Sequence, residues 1–109
     1  MNNDELILDC IRLLAPLWAR IARSDKALAH QGRRALQSAA LQYAEGRYAR
    51  GGNRDAKLHS AYAEAKEALF ALQVAAASGY VNAAEIEAQA GAIDRVAGLL
   101  YLMRKRPRR

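Results

Sequence analysis

Residues 55–78 read DAKLHSAYAEAKEALFALQVAAAS, and this stretch decides the fold. Its apolar side chains recur every three or four residues, which is the period of one buried face of an α-helix. The inward positions are Leu58, Ala61, Tyr62, Ala65, Leu69, Leu72 and Ala76. Alanine, the strongest helix former, occurs 25 times along the chain, whereas proline occurs twice. The sequence therefore predicts a long helix here, within an all-α protein.

Two further helices precede this one. The first covers 4–23, with Asn3 as a plausible N-cap. Its apolar stripe consists of Leu6, Ile7, Cys10, Leu13, Leu14, Leu17 and Ile21. Pro16 removes a backbone donor inside this helix, so we expect one helix that is kinked near residues 12–13. The second helix covers 25–48, and Ser24 or Asp25 is placed to cap it.

Glycines mark the ends of the helices. The stretch Arg50-Gly51-Gly52-Asn53 is expected to break the chain between the second and third helices, because paired glycines favour turns. Gly79 lies where a C′ glycine terminates a helix. Asn82 and Glu85 then form a capping-box pattern, which starts a fourth helix over 83–104.

Helices of this length with short connections pack antiparallel to their neighbours. The predicted fold is an all-α, antiparallel up-down-up-down four-helix bundle. It forms a single domain over 1–104, followed by a basic tail at 105–109. We expect its interior to contain Leu14, Leu36, Leu69 and Leu100.

Composition narrows the class of protein. The longest apolar stretch, 68–77, is broken by Gln73 and falls well short of the ~20 residues that a membrane span needs. The first residues, Met-Asn-Asn-Asp-Glu, are acidic where a signal peptide is basic. Cys10 is the single cysteine, so no internal disulfide is possible. We expect a soluble, cytoplasmic protein.

The polar residues do not form a catalytic or metal-binding pattern. His30 and His59 both lack the glutamate three residues earlier that bundle metal sites use. Asp55 and His59, four residues apart, are a single pair of possible metal ligands and a weak signal. Cys10 lies on the apolar stripe, as an inert buried thiol does. Glu64 and Glu67 have no acidic partner pair and are interpreted as a solvated face. We therefore predict no enzyme activity, no metal and no cofactor.

The segment Arg33-Arg34-Ala35 through Ala44-Glu45-Gly46 carries a family resemblance. It resembles the second helix of the bacterial four-helix-bundle proteins encoded in ribosomal RNA intervening sequences. There a basic-basic-Ala step leads to Asn-Ile-Ala-Glu-Gly and a short basic loop, and this chain has Gln42-Tyr43 where the family prefers Asn-Ile. The third helix, with its exit turn Ala77-Ser78-Gly79-Tyr80-Val81, is similar to that of the same family. The resemblance covers roughly residues 27–104. Glu45 is expected to pair with a loop arginine, and Gly46 to permit close packing or to begin the helix end.

The resemblance also implies a biological role. Relatives of this family include accessory proteins of diversity-generating retroelements, which form pentameric barrels and bind a reverse transcriptase and nucleic acid. By resemblance, we expect a ring-like homo-oligomer, with a pentamer as the specific expectation. The stretch 68–77 is apolar on every face, more than one bundle needs to bury, so a subunit interface is predicted at Phe70, Val74 and Ala77.

Basic residues gather at one predicted end of the bundle. The net charge is +6, and most of it comes from residues 104–109. The turn between the second and third helices should lie beside this tail. The candidate nucleic-acid-binding residues are Arg47, Arg50, Arg54, Lys57, Arg104, Lys105, Arg106, Arg108 and Arg109.

Two functional hypotheses remain open. In the first, the protein is a non-catalytic oligomeric scaffold that binds RNA or DNA, or a nucleic-acid enzyme, through this basic end. In the second, it is a protein-interaction or structural homo-oligomer with no nucleic-acid role, and its tail serves solubility. Contacts to phosphate would be largely independent of base sequence, because no aromatic residues are interleaved with the basic ones.

Overall fold

The computed structural model describes residues 2–105, and within them it is an all-α four-helix bundle without a β-strand. The helices are α1 (Asn3–Ala22), α2 (Lys26–Tyr48), α3 (Gly51–Ala77) and α4 (Glu87–Lys105). A short 3-10 turn, Ala83–Ile86, leads into α4. The predicted all-α bundle is confirmed. Residues 106–109, which make up most of the predicted tail, lie outside the described residues.

Polar contacts between the ends of the helices show the antiparallel order. Asp4 at the start of α1 accepts a hydrogen bond from Tyr43 near the end of α2, at 2.6 Å. Tyr80, just after α3, donates to Asp25 at the start of α2. Arg20 near the end of α1 reaches Glu85, just before α4. Each helix therefore runs opposite to the neighbours that it contacts.

Most helix ends are fixed by the local signals in the sequence. The capping box of Asn82 and Glu85 is present, and Gly79 adopts a left-handed φ of 81° directly after α3. Tyr80 N–H donates to the carbonyl of Ala75, which completes a Schellman ending. Asp25 caps α2 with a hydrogen bond from Leu28 N–H. The N-cap of α1 is Asn2 rather than Asn3, and α1 continues through Pro16 as one helix.

The turn between α2 and α3 is shorter than predicted. The predicted break between the second and third helices is present, but only Ala49 and Arg50 lie between them, and α3 begins at Gly51 rather than at residue 55. Gly51 has a φ of +57°, which reverses the chain in very little space, and Gly52 then continues into α3. A single left-handed glycine is enough to make this turn.

The core contains three of the four leucines expected inside. Leu14, Leu36 and Leu100 are buried, whereas Leu69 is half-buried and packs at the edge of the core. Alanines Ala61, Ala65, Ala68 and Ala75 line the inner side of α3 instead. Small side chains on this inner side let α3 approach its neighbours closely. The other sides of α3 face outward.

Two buried glycines set how α2 packs. A Cβ at Gly46 would lie about 3.0 Å from Leu58 of α3, so Gly46 permits close packing, one of the two roles expected for it. A Cβ at Gly32 would lie 2.4 Å from the ring of Trp18, which is buried between α1 and α2. Trp18 was not part of the predicted stripe of α1. Its ring reaches the core because Gly32 has no side chain.

Candidate nucleic-acid interface

The basic end is defined here as the end of the bundle formed by the start of α1, the Ala49–Arg50 turn and the end of α4. The antiparallel order brings these segments together, as the contact of Arg54 in α3 with Met103 in α4 demonstrates. Six of the nine candidate basic residues belong to the described residues. Arg106, Arg108 and Arg109 lie outside them.

Arg47 is held by its neighbours at the basic end. Its guanidinium donates to the Asp4 carboxylate and lies over the rings of Tyr43 and Tyr48, at 5.3 and 4.8 Å from the ring centroids. Arg47 and Tyr43 stabilise the charged form of Asp4, which lowers the pKa of that carboxyl group. Burial and the nearby Asp4 raise the pKa of Tyr43. The Asp4 partnership also raises the pKa of Arg47, so this cation belongs to a structural network.

Arg54 is a structural residue in this fold. Its side chain is buried, and its guanidinium donates to the carbonyl of Met103 at 3.0 Å. The last carbonyls of a helix lack partners within the helix, so Arg54 satisfies one of them at the end of α4. The burial of Arg54 and its bond to Met103 make it less available to phosphate than the exposed cations, and its predicted phosphate contact stays a prediction.

The remaining described cations differ in how far they are engaged. Lys57 forms a salt bridge with Glu45 at 2.6 Å, so Glu45 pairs across to α3 rather than with a loop arginine. Lys105 lies over the ring of Tyr101, 5.1 Å from its centroid. Arg50 and Arg104 are exposed, and within residues 2–105 neither has a carboxylate at salt-bridge distance. Arg50, Arg104 and Lys105 are thus the cations most available to an external anion.

The predicted oligomer residues lie on the outer side of α3. Phe70 exposes 64% of its surface, Ala77 is exposed and Val74 is half-buried. A large aromatic residue at this exposure is unusual on the polar side of a bundle helix. The structure therefore places two of the three residues where a partner can reach them, and the third beside them.

The residues considered for catalysis and metal binding do not converge. Burial raises the pKa of the Cys10 thiol to about 11, which keeps it protonated at neutral pH. His30 and His59 are exposed on α2 and α3. In the part of the chain that the structure describes, no group of three or more His, Cys, Asp or Glu side chains can hold a metal ion. Across the same residues, none of the helices is long and apolar enough to span a membrane.

Comparisons of the chain with protein-family models, with curated proteins and with solved structures each find no match.

Proposed function

We propose that this protein is a non-catalytic scaffold that assembles into a homo-oligomer and binds nucleic acid through its basic end. The observation that carries the proposal is the exposure of Arg50, Arg104 and Lys105 at one end of the bundle. Three more arginines follow at positions 106, 108 and 109. Arginine suits bidentate contacts to phosphate, and the C-terminal end of α4 favours cations through the helix dipole.

The surface proposed for phosphate contact is smaller than the sequence indicated. Arg54 is less available to phosphate than the exposed cations, and Arg47 and Lys57 contribute mainly to the stability of the basic end. In an assembly whose subunits share one orientation, the remaining cations would repeat around one rim and produce a large positive field. The resemblance to retroelement accessory proteins further suggests a reverse transcriptase as a protein partner and a pentamer as the assembly. The single cysteine fits a reducing cytoplasm as the location.

The test is a binding titration with two variants of equal charge. One variant, Arg50→Ala/Arg104→Ala/Lys105→Ala, removes three cations from the basic end. The control, Arg23→Ala/Arg34→Ala/Arg95→Ala, removes three exposed cations elsewhere. Fluorescence anisotropy with a labelled single-stranded RNA and a DNA duplex then gives the dissociation constant over a range of salt concentrations.

We expect the first variant to bind at least about tenfold more weakly than the wild type. For duplex DNA the slope of log affinity against log salt should fall by about 2 to 3, since each phosphate contact contributes roughly 0.9. The control should keep most of the affinity and slope. Equal losses in both variants would contradict a localised interface. No binding by the wild type at ~100 mM salt would favour the interaction module without a nucleic-acid role.

The exposed apolar residues on the outer side of α3, Phe70 above all, support the proposed self-association. Light scattering of the purified protein at high micromolar concentration should give a mass above that of one chain, which is 12.0 kDa. Phe70→Ala should lower the assembled fraction. Leu102→Ala, a change at another exposed apolar residue (51%), should not. A monomeric wild type would contradict the oligomeric scaffold.

A further inference from the structure

An open groove of about 390 Å³ runs along the outside of the bundle between α1 and α2. Its floor includes Ile11, Trp18 and Leu36, and its α1 wall consists of Ala15, Ala19 and Ala22. Residues 26–37 of α2 form the other wall, a length of roughly 16 Å at ~1.5 Å per residue. This volume lies within the ~300–1,000 Å³ of ordinary ligand sites, but the groove is elongated and open.

The groove follows from the packing of Trp18. The indole ring lies against Gly32, so it fills the space between α1 and α2 below the groove. The alanines on α1 are too short to cover the seam from outside. As a result, part of a largely buried tryptophan lines an apolar surface that is open to an external side chain.

The rim of the groove is positively charged. Lys26, His30 and Arg33 line its α2 side, and none of the described residues that line it is a carboxylate. Arg33 also lies 3.3 Å from the Nδ1 atom of His30, so these two side chains occupy the same edge. An occupant that complements this groove presents an apolar side chain flanked by acidic groups.

The outer side of α3 has this chemistry. Ala63, Phe70 and Ala77 recur at seven-residue spacing, and all three are exposed, so they form one ridge along the helix. Glu67 and Lys66, both one turn before Phe70, are exposed, while Glu64, one turn further back, is half-buried, so two acids and one base flank the ridge. The ridge from Ala63 to Ala77 is roughly 21 Å long at ~1.5 Å per residue, which is enough to follow the groove.

We infer that the α1–α2 groove of one subunit binds the α3 ridge of a second copy, with Phe70 inserted over Trp18 between the alanines and the cationic rim. This inference rests on the proposed self-association and specifies its geometry. The two contact surfaces are different patches of the same chain, so the contact is head-to-tail. Head-to-tail contacts close into rings when the rotation between subunits allows it.

A symmetric contact between two α3 ridges would bury only one of the two apolar surfaces, whereas the head-to-tail contact buries both. The symmetric contact would cover Phe70 but leave the apolar groove open to solvent. It would also bring the glutamates of both ridges together without using Lys26 or Arg33. The head-to-tail contact covers both apolar surfaces and pairs opposite charges, so it is the arrangement that the two surfaces favour.

A complementation experiment tests the inference. The ridge variant is Phe70→Ala, and the groove variant is Ala15→Glu/Ala19→Glu, which places acids in the wall at two exposed positions. Each variant alone should be monomeric by light scattering at a concentration where the wild type assembles. An equimolar mixture should form a heterodimer, because it combines one intact groove with one intact ridge.

Arg33→Glu should raise the dissociation constant of assembly about tenfold, and adding Glu67→Arg should restore most of the loss. Circular dichroism of each variant checks that the helices are retained.

The possible outcomes distinguish a failure of the groove contact from a failure of the proposed self-association. A wild type that stays monomeric overturns the self-association and the inference together. A wild type that assembles while the groove variant also assembles overturns only the groove contact. An absence of heterodimer from two folded, monomeric variants does the same.

Discussion

The two ends of the bundle are built from the same kinds of contact but differ in the charge left over. At the opposite end, formed by residues 20–26 and 78–87, Arg20 pairs with Glu85 at 2.8 Å and Asp25 caps α2. The acidic and basic residues there balance. At the basic end, Asp4 and Glu45 are engaged by Arg47 and Lys57. The described cations at positions 47, 50, 54, 57, 104 and 105 outnumber the acids Asp4, Glu5, Glu45 and Asp55 there by two. Pairing fixes both ends, and the surplus at one end is available to a ligand.

The largest stability effect should distinguish two arginines at the basic end. Arg54→Ala removes a buried side chain and leaves the carbonyl of Met103 without its donor. We expect a loss of about 2–3 kcal/mol in the free energy of unfolding, as for a hydrogen bond from a charged group with its buried stem. Arg50→Ala should change it by less than about 0.5 kcal/mol.

Urea denaturation monitored by circular dichroism measures both changes. Equal effects of Arg54→Ala and Arg50→Ala would contradict the division into structural and surplus cations. Nucleic-acid affinity should respond in the opposite order, once both proteins are shown to be folded. Arg54→Ala should thus affect mainly stability, and Arg50→Ala mainly nucleic-acid affinity.

At the opposite end the largest effect should come from the cap of α2. Asp25→Ala removes the acceptor for Leu28 N–H, at 3.0 Å, and for the hydroxyl of Tyr80. Loss of an N-cap costs about 1 kcal/mol, and the added contact to Tyr80 places the expected loss at about 1–2 kcal/mol. Ser24→Ala, at the neighbouring position that the sequence left as an alternative cap, should have little effect. A larger loss for Ser24→Ala would show that the cap is assigned wrongly.

Acidification should lower the free energy of unfolding through a carboxyl group at each end of the bundle. Arg47 and Tyr43 lower the pKa of Asp4, and Arg20 with the backbone of Asn82 lowers the pKa of Glu85. A lowered folded-state pKa stabilises the protein above the unfolded value of about 4, and this contribution is lost as pH falls through the folded-state pKa. Asp4→Asn and Glu85→Gln should therefore each reduce the stability difference between pH 7 and pH 3.

Thermal midpoints at several pH values check this prediction. The two effects should add in the double variant, because the residues lie at opposite ends of a bundle 46 Å long. Glu5→Gln, a change to an exposed carboxylate beside Asp4, is the matched control. An acid-induced loss of stability that is as steep in the double variant as in the wild type would contradict the prediction.

The sequence predicted the helices well because their signals are local. Periodicity, the capping box at Asn82 and the glycine at position 79 each act within a few residues, and the structure has all three. The start of α3 was placed four residues too late, at residue 55 rather than at Gly51, for a related reason. Paired glycines indicate a turn, but the number of residues in the turn depends on how closely α2 and α3 pack.

The candidate site was harder to predict because side-chain direction depends on the partner helix. Arg54 has a long apolar stem, so it lies on the buried side of α3 and still reaches a carbonyl of α4. Its position four residues before Leu58, on the same face of the helix, is the sequence signal that could have placed it there. Trp18 was missed for a similar reason, since the room for its ring is provided by Gly32 on another helix. A bulky aromatic residue facing a lone glycine across two predicted helices is the signal that would have found it.

Backbone amide spectra during a titration test the central claim most directly. Glycine amides resonate in a well-separated region, and this chain has Gly51 and Gly52 at the basic end and Gly79 at the opposite end. On addition of a short single-stranded RNA, the signals of Gly51 and Gly52 should shift progressively while that of Gly79 stays in place. Shifts of similar size at Gly79, or no shift at Gly51 and Gly52 with RNA in excess, would contradict a nucleic-acid interface at the basic end.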